Sequence, residues 1–65
     1  MQILLKKCRI EFGWTQEQIA KAVGVHKNTY INYECGKRML PFDIAYKIAK
    51  AYNVDISCLF ELSTD

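Results

Sequence analysis

Three residues, Gly24, Val25 and His26, are all that separate two stretches of helical spacing, and no other feature constrains this chain as tightly. Before the turn, Ile19, Ala20 and Val23 make one apolar face; after it, Thr29, Tyr30 and Tyr33 make another. A connection that short forces its two helices to cross steeply.

The neighbouring segments keep the same period, and alternating polar and apolar strand patterns are missing. Met1, Leu4, Leu5, Cys8 and Phe12 fall at steps of three and four, predicting a first helix that stops at the left-handed Gly13. The second helix opens on T-Q-E-Q, a capping box of Thr15 with Gln18, and Trp14 and Ile19 are spaced as a hydrophobic staple. The third ends at Cys35-Gly36. Pro41 suits the first turn of the fourth, where its missing N–H is no loss. Ile44, Ala45, Ile48, Ala49 and Tyr52 form the apolar face of that helix, and Asn53 tolerates the conformation that ends it. Val54, Ile56, Leu59 and Phe60 predict a last short helix within 55–62, capped by Asp55. The expectation is one all-α domain of five helices over 1–65.

The chain has 65 residues, near the lower limit for independent folding, because a domain this small buries only about 60% of its unfolded surface. A hydrophobic fraction of 51% and a charged fraction of 25% exclude a disordered segment. No apolar run approaches the roughly 18 residues of a membrane span, and the start M-Q-I-L-L-K-K lacks the pattern of a signal peptide. A cytoplasmic protein is expected, with no membrane partner. Cys8, Cys35 and Cys58 include no C-x-x-C pair, and His26 is the single histidine, so no metal site is expected. The thiols read as free, with Cys8 in the core.

The net charge of +2 hides an uneven distribution. Residues 1–38 carry seven basic against three acidic groups, whereas 39–65 carry two against four. A polyanion would be drawn to the first part and repelled by the second, although by itself the split reads as a random scatter of surface charge.

The third helix sharpens that reading. At 3.6 residues per turn, Lys27, Asn28, Ile31 and Asn32 share the side opposite Thr29, Tyr30 and Tyr33. Asparagine is a mediocre helix former, so two of them on an outer face do not serve local stability. A carboxamide presents a donor beside an acceptor, which matches the N6 and N7 edge of adenine in the major groove. Lysine can donate to guanine or to phosphate, and isoleucine can pack on a thymine methyl. Taken alone, these four residues read rather as a polar surface helix.

Context favours the first alternative. The run R-x-x-x-G-W-T-Q-E-Q-I-A (9–20) is followed by V-G-V-H-K-N-T-Y (23–30), Y-E-C-G-K-R (33–38), L-P-F-D-I-A-Y-K-I-A (40–49) and a closing Y-N-V-D-I-S-C-L-F. Together they resemble the phage Cro/repressor-type, or XRE-like, helix-turn-helix family from about Leu4 to Phe60. The resemblance implies a lambda-repressor-like fold with its helix-turn-helix at 15–34 and recognition helix at 26–34. It implies that Lys27, Asn28 and Asn32 look into the major groove, with Ile31 beside them. It implies phosphate contacts at Thr15 and Gln16, where the exposed helix amides also favour an anion, and at the basic pair Lys37 and Arg38. Arg9 and Glu34 match a structural pair tying the first helix to the end of the recognition helix, which would orient Lys37 and Arg38; an exposed pair would contribute only about 0–1 kcal/mol.

The chain departs from the family pattern at three places. His26 stands where serine or threonine usually caps, and either caps poorly or meets a phosphate. Cys35 replaces a residue that is commonly polar. Ile31 stands where a polar residue is usual.

Catalysis is not expected, since the lone histidine lies on the presumed DNA face and no glycine-rich phosphate cradle exists. The leading expectation is a sequence-specific regulator of transcription binding double-stranded DNA, a repressor acting as a homodimer on an inverted repeat. Ile56, Phe60 and Leu62 are the candidate dimer contacts, unless Ile56 and Phe60 merely complete the core. A chain this short leaves no room for a sensor domain, so neither a cofactor nor a small-molecule ligand is expected. The alternative is an antitoxin-like protein-interaction module using the same fold.

Overall fold

The computed structural model describes residues 2–61 and consists of four α-helices, one 3-10 turn and a minimal antiparallel ribbon. The helices are α1 (Leu5–Glu11), α2 (Gln16–Val23), α3 (Lys27–Cys35) and α4 (Phe42–Tyr52), and the 3-10 turn is Ile56–Leu59. The ribbon joins β1 (Gln2–Ile3) to β2 (Phe60–Glu61), with Gln2 opposite Glu61 and Ile3 opposite Phe60. The all-helical core matches the class expected from sequence. The fifth helix is replaced by the tighter turn, because the segment after Asn53 has only one turn of helical spacing before the chain extends into β2.

Local chemistry sets most boundaries. Thr15 Oγ1 accepts from the Gln18 N–H at 3.0 Å and Gln18 Oε1 accepts from the Thr15 N–H at 2.8 Å, completing the capping box of α2. Gly24 and Gly36 end α2 and α3 in the left-handed conformation, and Asn53 does the same for α4 at φ 58°. Pro41 is the residue before α4 rather than within its first turn, held extended at ψ 149°. Asp55 Oδ1 accepts from the Ser57 N–H at 2.9 Å and starts the 3-10 turn.

Leu5, Ile19, Tyr30, Ile48 and Leu59 are the largest fully buried side chains, one from each helical element, so a single core joins all five. Two sequence expectations change at the chain's ends. The first helix begins at Leu5, since Gln2–Ile3 are extended and paired; Met1 lies outside the described residues. Phe12 is not a core residue but an exposed ring stacked on Tyr52, with centroids 5.1 Å apart. Ile56 and Phe60 are half-buried and pack against the core, and Phe60 sits in the ribbon rather than on a helix. Leu62 lies outside the described residues. No helix among the described residues is long and apolar enough to cross a membrane.

Candidate nucleic-acid interface

The site is built where the N-terminal ends of α2 and α3 approach each other. Gly24 takes φ +78°, a value that L side chains rarely adopt, and this turns the chain sharply enough for α3 to cross α2. Val25 N–H donates to Ala20 at 3.0 Å and closes the turn. The inner face of α3 is then fixed by Tyr30 and Tyr33, both buried. Thr29, expected with them, is half-buried.

Rotation of the helix decides what remains outside. Lys27 and Asn28 are exposed, whereas Ile31 and Asn32 are half-buried at the edge of the same stripe. The stripe is therefore not uniform: its N-terminal turn stands clear and its middle leans toward the core. This gradient is invisible to a helical wheel, which carries no information on how the neighbouring elements pack against each end of α3.

His26 caps α3. Its Nδ1 accepts from the Asn28 N–H at 3.2 Å, so imidazole takes over the task of the usual hydroxyl. A ring nitrogen that accepts carries no proton, which leaves Nε2 as the donor of the ring. Capping and a phosphate contact, alternatives at the sequence level, are thus compatible through the two nitrogens.

An open cleft of about 470 Å³ runs between the two helix starts, lined by Arg9, Trp14, Thr15, Gln16, Glu17 and Lys27. Lys27 therefore stands beside the α2 amides as well as on the outer stripe. The first amides of α2 have no intrahelical acceptor, and a helix N-terminus attracts anions.

Behind the cleft lies a polar cluster that sequence spacing underestimated. Arg9 Nε donates to Glu34 Oε2 at 2.9 Å and Arg9 Nη2 to Glu34 Oε1 at 3.4 Å. Arg9 Nη1 donates to the Trp14 carbonyl at 2.9 Å, and Gln16 Nε2 to Glu34 Oε1 at 3.4 Å. The Glu34 side chain is only 4% exposed and that of Arg9 14%. Glu34 is thus enclosed, not a surface partner, and its charge is balanced by a two-pronged guanidinium.

Burial alone pushes the Glu34 carboxyl up, but the hydrogen bonds and charge of Arg9, with the Gln16 amide and the nearby Tyr30 hydroxyl, outweigh it, and the net direction is down. The Tyr30 and Tyr52 hydroxyls are buried behind the pair without a hydrogen bond of good geometry. Desolvation dominates both, pushing the Tyr52 phenol up to about 12 and that of Tyr30 further. Tyr30 therefore stays protonated.

The basic loop is held in a different way. The Arg38 N–H donates to the Asn32 carbonyl at 3.2 Å, folding the loop back onto the end of α3, and Leu40 is buried beneath it. Lys37 and Arg38 stay exposed. The cluster around Glu34 thus fixes the start of α2, while the backbone bond at Asn32 fixes the loop. The sequence expectation had Arg9 and Glu34 orient Lys37 and Arg38; the side-chain bonds lead to Gln16 instead.

Comparison with known proteins agrees with this geometry. The helix-turn-helix family model matches residues 5–57. A protein of Archaeoglobus fulgidus described as an HTH-type transcriptional regulator is 40% identical over 60 residues, covering 92% of this chain and 86% of its own. Another HTH-type transcriptional regulator, from Methanocaldococcus jannaschii, is 38% identical over 65 residues, with 100% of this chain and 98% of its own covered. The transcriptional repressor RstR of the cryptic phage CTXphi in Vibrio cholerae is 38% identical over 53 residues, 82% of this chain and about half (48%) of RstR. A family match over most of the chain, on residues that build a steeply crossed α2–α3 pair, places this protein in the helix-turn-helix family of the Cro/repressor, XRE-like type.

Proposed function

We infer that this protein is a sequence-specific regulator of transcription that inserts α3 into the major groove of double-stranded DNA, and that it represses by occupying its site. The observation that carries the reading is the pairing of an exposed Lys27–Asn28 turn with an open α2 N-terminus across one cleft. A duplex offers base edges and a phosphate rail at that separation, and few other ligands do.

Residue roles follow from position. Asn28 reads a base edge, with Asn32 and Ile31 contributing at the rim of the contact. Thr15, Gln16 and the amides of α2 hold one phosphate, Lys27 and His26 Nε2–H reinforce that side, and Lys37 and Arg38 hold the backbone beyond α3. The name of the phage relative RstR, a transcriptional repressor, supports repression over activation.

A single short recognition helix covers too few base pairs to single out one site in a genome. Two copies related by a two-fold axis, reading half-sites about 10–10.5 base pairs apart, supply the missing footprint. Selection from a random duplex library tests the whole reading. Enrichment of an inverted repeat is the expected result; a pool without a common motif refutes base readout, and a single unrepeated motif refutes the symmetric pair.

A further inference from the structure

Among the described residues, the large exposed apolar side chains other than Ile10 and Phe12 follow one another from the basic loop into α4: Met39 is 88% exposed, Phe42 74% and Tyr46 51%. Phe42 and Tyr46, four apart, share one face of the helix. None of the roles assigned above uses them.

At the other end of α4 the same face borders an open groove of about 330 Å³. Tyr46, Ala49, Asn53, Val54 and Ile56 line it, with Asp55 at its edge. Lys50 also borders it and lies over the Tyr46 ring, its Nζ 5.7 Å from the centroid. A protruding ring and a ring-sized groove thus occupy opposite ends of one helix, roughly 12 Å apart at 1.5 Å per residue.

Resting on the reading of the protein as a symmetric pair, we propose that the α4 face of Phe42 and Tyr46 is the surface by which two copies of this chain associate, each Phe42 entering the other's groove beside Ile56. A two-fold axis near Tyr46, perpendicular to α4, makes that exchange reciprocal, as an isologous contact requires.

The charges select the same occupant and the same orientation. Asp43 lies at the N-terminal end of the face and Lys47 and Lys50 lie toward its C-terminal end. Antiparallel helices set Asp43 of each copy against Lys50 of the other, whereas parallel helices set like against like. Asp55, at the groove, faces the other copy's Lys37–Arg38 loop. DNA is a poor occupant, because Asp43 and Asp55 border the face. The arrangement sets the two basic loops at opposite ends of the pair, each beside the other copy's Asp55. It also moves the contact away from Phe60, which packs in the ribbon, and keeps Ile56.

Sedimentation of the full chain over a concentration series, with half-site and full-site binding measured in parallel, tests the proposal. Wild type should dimerise. Phe42→Lys and Asp43→Lys should each weaken self-association by about tenfold or more, the effect of losing a central anchor or opposing like charges. Both should keep wild-type helicity and half-site affinity while losing cooperative binding to the full site. The charge swap Asp43→Lys with Lys50→Asp should restore the dimer. A dimer indifferent to all three variants overturns this surface and leaves the symmetric pair standing. A wild-type chain that stays monomeric free and on full-site DNA overturns both, while half-site binding would still uphold the DNA-binding reading.

Discussion

Gln16 Nε2 donates to Glu34 Oε1 at 3.4 Å, and through that bond the first residue of α2 is tied to the last turn of α3. The two residues are 18 apart in sequence, and neither is held by its own helix alone. Arg9 makes the tie electrically tolerable: without it, an enclosed carboxylate would sit behind the surface proposed to meet a phosphate. The start of α2 is therefore tied to the last turn of α3 by one ion pair and one amide.

Arg9→Met should destabilise the fold by about 3 kcal/mol, the lower end for stranding one member of a buried pair. Glu34→Gln should cost less, about 1–3 kcal/mol, because the amide still accepts from Gln16 and the largely enclosed Arg9 keeps its bond to the Trp14 carbonyl. Denaturant midpoints of the two variants give the order directly; equal losses, or a larger loss in Glu34→Gln, contradict it.

The same pair predicts a pH dependence. Glu34 is held below its unfolded value, so the stability it supplies is complete above about pH 4.5 and is lost as pH falls through the folded value. Wild type should lose stability across that acid range more steeply than Glu34→Gln, which has no carboxyl there to protonate. Thermal unfolding from pH 6 downward checks the sign, and parallel slopes would place the acid sensitivity elsewhere.

Gln16→Ala should weaken binding to every duplex by a similar factor without changing sequence preference, since a phosphate contact carries no base information. Being neutral, Gln16 leaves the salt slope unchanged. A variant whose losses differ between sites would make Gln16 a base-reading residue.

His26 offers a spectroscopic check. Because Nδ1 accepts from the Asn28 N–H, the imidazole nitrogens should give the signature of the Nε2–H tautomer. His26→Ser should keep the cap and the helix, whereas His26→Ala should cost about 1 kcal/mol. Nitrogen shifts of the opposite tautomer would remove the cap from this account.

What could be read in the sequence was what is local. The Thr15–Gln18 box spans three residues and needs no tertiary context; the left-handed stops at Gly24, Gly36 and Asn53 follow from backbone sterics alone. The exposure of Lys27 and Asn28 followed from helical period. Burial of Glu34 did not, because it depends on Arg9, Gln16 and Tyr30 closing around it from three helices. The ribbon escaped notice for a related reason: two residues at each end have no pattern to read, and Gln2 finds Glu61 only once the helices between them have packed. Ile31 and Asn32 lie between these cases, on the predicted side of α3 but leaning inward by an amount that only the crossing sets.

Asn28 and Lys37 should separate the two halves of recognition. Asn28 is exposed on the outer turn of α3 with its backbone N–H already engaged by His26, so the side chain is free to use both its donor and its acceptor on one base edge. Asn28→Ala should cost about 1–3 kcal/mol at one base pair and relax preference there, leaving the salt slope intact. Lys37 lies exposed in a loop pinned by the Arg38–Asn32 backbone bond, and on the proposed reading its charge meets the phosphate rail. Lys37→Ala should weaken all sequences alike and reduce the salt slope by about one. Affinities for the selected site and its single-base variants, each measured at several salt concentrations, resolve both effects. If Asn28→Ala keeps its sequence preference, α3 does not read bases through this residue, even should the duplex still bind.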